Sequence, residues 1–197
     1  MTNSMNNVNE LKRLVHASFN ILEEHITDSY QISFVIDQKD IMTMLATLKN
    51  AGWIQLSYLS AVDWPDEEKF ELVYIVFNWD KPVYVQIRSK INRIDASTAS
   101  ILPIFPGAKY YERECHEFFG IKFPGNPDYE KQLILENWDD IPPMRKDFDP
   151  KAYSDRKFTT REYSETYIVQ SEKEPSKKVK RESRKARAES LSGGKKS

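Results

Sequence analysis

Apolar residues recur at threes and fours from Val8 to His25: Leu11, Leu14, Val15, Phe19 and Leu22 alternate with Lys12, Arg13, Glu23 and Glu24. That spacing predicts an amphipathic helix over 8–25. The short β-rich run Gln31–Ile36 (QISFVI) predicts a strand. A second helix is expected over Lys39–Asn50, with Met42, Leu45 and Leu48 on one face and Asn50-Ala51-Gly52 ending it. Three further strands are expected at Trp53–Val62, Phe70–Phe77 and Val83–Arg88. The turn-forming linkers between them make an antiparallel meander the simplest arrangement. The nearly unbroken apolar run at 70–77 suggests an interior strand covered on both faces.

Beyond the meander, Ser97–Ile104 reads as a short helix capped near Asp95 or Ser97. Pro106-Gly107 interrupts, and Ala108–Phe119 (AKYYERECHEFF) reads as a helix with Gly120 at its C-cap. Pro124 to Asp128 forms a tight loop, and Gln132–Leu135 a brief strand. Residues 142–163 read as extended, with Phe148, Tyr153, Phe158 and Tyr163 about five apart and little core of their own. The expected fold is α/β of the α+β type: a small, mainly antiparallel sheet with packed helices. Three regions follow: an α/β domain at 1–120, an extended segment at 121–170 and a flexible basic tail at 171–197.

Composition narrows the chemistry. The chain has 197 residues but only 6 glycines, and it contains neither a G-x-G-x-x-G nor a G-x-x-x-x-G-K loop for phosphates. No apolar run approaches the ~20 residues that span a bilayer, and the polar start MTNSMNNVNE has no signal segment. A cytosolic chain, held at any membrane by a partner, is expected. The single cysteine, Cys115, excludes an internal disulfide, and His16, His25 and His116 have no metal-ligand spacing. The net charge of −1 hides an asymmetry. Residues 171–197 hold ten Lys and Arg against four Asp and Glu, leaving an acidic body. The run Lys177-Lys178-Val179-Lys180-Arg181 resembles a patch for nucleic acid or an anionic membrane. Without aromatics for base stacking, a solvated tail accounts for it better.

One stretch carries more charge, aromatic and turn residues than a core needs: E-R-E-C-H-E-F-F-G-I-K-F-P-G-N-P-D from Glu112, then P-P-M-R-K-D-F ending at Phe148. On a helix, Arg113 and Glu117 are four apart and can form an ion pair. Glu114 and Glu117 can share a face, but no other helix supplies the partners that a di-metal site needs. Cys115 and His116 are neighbours that point to different faces, so they do not form a nucleophile–base pair.

This string resembles the signature of the 30-kilodalton subunit of respiratory complex I, the C subunit of bacterial NADH–quinone oxidoreductase. The resemblance covers residues 8–165 and excludes the tail. It maps onto Glu112, Arg113, Glu114, Phe119, Gly120, Gly125, Pro127, Asp128, Arg145, Lys146, Asp147 and Phe148. It implies a non-catalytic subunit that binds no flavin, iron–sulfur cluster or metal. The complex around it would use iron–sulfur clusters, a quinone-type acceptor and NADH or another donor. The implied position is the peripheral arm, on the cytoplasmic side of the membrane, beside iron–sulfur subunits. There the chain would pack against the 49-kilodalton-type quinone-site subunit, with the C-terminal segment wrapping that partner. Glu112, Arg113, Glu114, Phe119, Gly120, Arg145, Lys146, Asp147 and Phe148 are the implied interface. Arg145, Lys146 and Asp147 would supply charged contacts, and Phe148 an apolar anchor. The family usually has Asp at Glu117, His at Asn126 and often a basic pair where this chain has Tyr129-Glu130-Lys131. The same family serves deazaflavin-oxidising dehydrogenases and membrane-bound hydrogenases, so the donor stays open. A nucleic-acid-binding protein using the basic tail is the reading of a different class.

Overall fold

The computed structural model describes residues 2–158. Helix α1 spans Thr2–Ser18, followed by strands β1 (Glu23–Asp28) and β2 (Gln31–Val35). Helix α2 (Ile41–Asn50) leads to β3 (Gln55–Trp64), β4 (Lys69–Asn78) and β5 (Val83–Asn92). Helices α3 (Ala108–Phe119) and α4 (Pro150–Lys157) complete the described elements. The sheet order is β1-β2-β5-β4-β3. Every pairing is antiparallel except β2 with β5. The expected meander is therefore present, and β4 is an interior strand with eight of its ten residues buried. The chain divides between Tyr153 and Ser154. The expected break after residue 120 gives way to this later one, because residues 121–153 belong to the first unit. The tail at 171–197 lies outside the described residues.

The core lies on one face of the sheet. Phe34, Ile87, Leu72, Tyr74 and Leu59 belong to one buried cluster with Leu11 of α1, Leu45 of α2 and Cys115 of α3. Across β3, β4 and β5 these strand residues share a face by register. Trp53 closes the end of α2, its indole N–H donating to the Val83 carbonyl at 3.0 Å. Gly52 makes this turn possible. Its φ of +103° suits glycine, and a Cβ there would meet the Asn78 amide at 2.8 Å.

Four expectations about elements are corrected. The first helix stops at Ser18 rather than His25, and Glu23–Asp28 instead pairs with β2. Glu24 faces back toward α1, where it meets Lys12 at 2.6 Å and His16 at 2.7 Å. The segment 97–104 is not a helix. It runs beside 122–124, with Thr98 N–H donating to Lys122 O and Ser100 N–H to Pro124 O, each at 3.0 Å. Residues 132–135 form no strand, because their amides turn to a side chain of α3. The extended reading of 142–157 is replaced by turns and α4. Asp149 caps that helix, accepting from Lys151 N–H at 2.9 Å and Ala152 N–H at 3.0 Å, with Pro150 as its first residue. Residues 159–163 lie outside the described residues.

Candidate docking surface

Helix α3 has the expected bounds, and Gly120 caps it at φ +80°. Its inward face presents Ala108, Glu112, Cys115 and Phe119, a spacing of four, three and four. Glu112 is 0% exposed, so it is not available at an interface. One carboxylate oxygen accepts from Ser100 Oγ at 2.7 Å and Asn126 Nδ2 at 2.9 Å. The other accepts from Ile101 N–H at 2.8 Å. Burial raises the Glu112 pKa, and these three donors only partly offset it. Asn126 also accepts from Asp128 N–H at 3.0 Å. Glu112 therefore locks the 100–101 and 126–128 loops to α3.

Arg113 and Glu117 form no ion pair with each other. Both grip the same stretch of backbone. Arg113 donates to Gln132 O at 2.6 Å and Lys131 O at 3.2 Å. Glu117 accepts the amides of Leu133, Ile134 and Leu135 at 2.9, 2.9 and 3.0 Å. A carboxylate taking three successive N–H groups replaces the ladder that a strand would need. Glu114 is exposed. Cys115 is buried, its thiol pushed well above the ordinary range by burial and the nearby Glu114 and Glu112 charges. His116 turns the other way. Its Nδ1 lies 2.9 Å from Ile121 O, and its ring edge meets Tyr129.

The second half of the signature is fixed by the sheet. Asp63, at the end of β3, accepts the Lys146 N–H at 2.8 Å and pairs with Arg93 Nε at 2.7 Å. Arg93 extends a second nitrogen to Asp147 at 2.8 Å. Burial alone would raise the Asp63 pKa, but Arg93 and the Lys146 amide outweigh it and hold the carboxyl below the usual aspartate range. Arg145 turns inward. Its Nε donates to Phe119 O at 2.9 Å, and its guanidinium lies 5.3 Å from the Phe70 ring centre. Phe119 itself packs edge-on against Phe70. Phe148 joins a cluster with Trp138 and Tyr153.

The outward residues of the strip are Met144, 57% exposed, with Lys146 and Asp147. The Lys146 ammonium sits 5.2 Å from the Trp64 ring. Of the nine residues expected at an interface, Glu112 and Phe119 are buried, while Arg113 and Arg145 serve as internal clamps. Glu114, Lys146 and Asp147 face outward, Gly120 caps α3, and Phe148 packs with Trp138 and Tyr153. Sequence reading passed over Asp63, Arg93 and Trp138. Asp63-Trp64-Pro65 looked like a turn, and nothing local ties Asp63 to Arg93. Among the described residues, no cluster of three or more His, Cys, Asp or Glu could hold a metal ion. No described helix is long and apolar enough to cross a membrane.

Known proteins share this sequence pattern and fold. The profile of the respiratory-chain NADH dehydrogenase 30 kDa subunit family matches residues 34–154. The C subunit of the NADH-quinone oxidoreductase of Moorella thermoacetica is 29% identical over 117 residues, 59% of this chain and 78% of that one. The C subunit of the F(420)H(2) dehydrogenase of Methanosarcina mazei is 27% identical over 132 residues, 66% of this chain and 82% of that one. A chain from the structure of the membrane-bound sulfane sulfur reductase, an archaeal respiratory membrane complex, superposes with a TM-score of 0.73 at 27% identity. That match covers 83% of this chain and 99% of the other.

Proposed function

This chain belongs to the respiratory-chain NADH dehydrogenase 30 kDa subunit family, and from that membership we propose that it is a structural subunit of a complex I-type respiratory oxidoreductase. In this reading it packs against the quinone-site subunit of the 49-kilodalton type, on the cytoplasmic side of the membrane. The redox carriers belong to its partners. The observation that carries the reading is the pinning of residues 144–147. Asp63 and Arg93 fix the backbone and Asp147, while Met144 and Lys146 are left facing outward. An exposed methionine on a rigid strip suits an apolar contact, and a lysine beside it suits a partner carboxylate. Such a strip is preorganised, so docking does not have to order it.

The test is purification of the tagged chain in mild detergent, with the retained subunits identified by mass spectrometry. The expected result is a large quinone-site subunit together with iron–sulfur subunits. Recovery of the chain alone would overturn the reading. A second reading changes only the electron donor. The likeness to the F(420)H(2) dehydrogenase chain and to the sulfane sulfur reductase chain favours a sibling complex without the NADH-oxidising module. A flavin-bearing NADH-oxidising protein among those retained would reject it.

A further inference from the structure

Between α3 and the loop that Glu117 holds lies a cavity of about 330 Å³, lined in part by His116, Glu130, Leu135, Trp138 and Pro142. We propose that it is a socket for one arginine side chain, supplied by the neighbouring subunit. The proposal rests on the subunit role described above and names the chemistry of one contact within it.

The charges around the cavity select the occupant. Glu117 also lines it, but its two oxygens already take three backbone amides. Lys131 lines it too, with its ammonium held by Asp128 at 2.5 Å. Glu130 accepts from the neutral Tyr129 hydroxyl at 2.9 Å, and among the described residues no cation stands opposite its negative charge. His116 adds an acceptor. The Ile121 carbonyl can only accept, so Nδ1 carries the proton in the 2.9 Å contact. Nε2 is then the ring nitrogen that can accept. The lining thus combines an anion and an acceptor with apolar Leu135, Trp138 and Pro142.

A guanidinium meets both demands. Its planar fork donates to two acceptors at once, and its methylene stem lies along apolar and aromatic surface. Glu130 is exposed, so a carboxylate would meet it with like charge, and a purely apolar group would leave that charge to water alone. The volume is at the lower end for ligand pockets, which start near ~300 Å³, and suits a single side chain better than a cofactor. Gly120 also lines the cavity. A Cβ there would sit 3.3 Å from the Pro142 ring and 3.4 Å from Arg145.

The test titrates the full-length, isotope-labelled chain with Nα-acetyl-arginine amide, and separately with Nα-acetyl-citrulline amide, its neutral isostere. The His116 ring and the Trp138 indole N–H are the resonances followed. The expected result is saturable shifts at millimolar arginine amide, with citrulline at least tenfold weaker. E130Q should weaken arginine binding at least fivefold without changing the melting temperature. Equal binding of the two probes, no saturable shift, or unaltered binding in E130Q would overturn the proposal. So would full recovery of partner subunits with tagged E130Q, and that outcome would leave the subunit role intact. Conversely, if the unmutated chain recovers no partner, the subunit role fails and the socket's supplier with it. The titration then still reads the cavity's chemistry by itself.

Discussion

The backbone amide of Lys146 donates to Asp63 Oδ2 at 2.8 Å across 83 positions of sequence. Asp63 has a 2% exposed side chain and also holds Arg93 at 2.7 Å. One carboxylate thus fixes the signature strip to the edge of the sheet. D63N keeps the shape but removes the charge, leaving Arg93 with Asp147 alone. Breaking such a buried pair costs about 3 kcal/mol, a fall in Tm of roughly 10 °C for a unit of this size. Thermal melting by circular dichroism measures it.

The same residue sets an acid limit. The folded Asp63 pKa lies below the unfolded value, which is about 3.9 for an aspartate. Its stabilisation is therefore complete above the unfolded pKa and is lost as pH falls through the folded one. Urea unfolding of the natural chain and D63N should differ most at pH 7 and converge below pH ~4. A constant gap down to pH 2 would show that the charge is not what binds the strip.

Arg145 and Lys146 are neighbours with opposite expected phenotypes. R145A removes a charged donor from Phe119 O and a guanidinium from above Phe70. It should cost about 1.5–3 kcal/mol of stability in the isolated chain. K146E removes only a contact with the exposed Trp64 face, worth under about 1 kcal/mol. Its melting should barely move, while recovery of partner subunits falls severalfold. Parallel melting and affinity purification of the two variants separate the roles. Equal behaviour in both assays would remove Lys146 from the docking surface.

Helix α3 was legible because its information is local: an apolar stripe at 108, 115 and 119, with glycine at 120. The meander was legible for the same reason, since short turn-rich linkers join its strands. The first helix was overextended because Phe19 and Leu22 continue its spacing. The competing partner, β2, pairs through the backbone and leaves no side-chain signature at 23–28. The short helix α4 carries no apolar stripe, although Asp149-Pro150 is a cap signal that could have revealed it. In the signature, several charges that the sequence placed at an interface bond within the chain instead. Glu112, Arg113 and Arg145 look like surface charge until Ser100, Gln132 and Phe119 are brought to them.

Glu117 gives the sharpest test of that inward role. Three consecutive amides, at 133, 134 and 135, point at its two oxygens, and among the described residues no strand partner competes for them. E117A leaves all three dependent on water. Because Leu133 and Leu135 are only half-buried, water can reach them, so the global cost should stay near ~2 kcal/mol. The local effect should be larger. Amide hydrogen exchange at 133–135 should accelerate by at least tenfold, while amides within β4 exchange at rates set by the global change alone. E117Q retains one accepting oxygen and should fall between the two. If exchange at 133–135 in E117A rises no more than in β4, the loop is held by packing and not by this carboxylate.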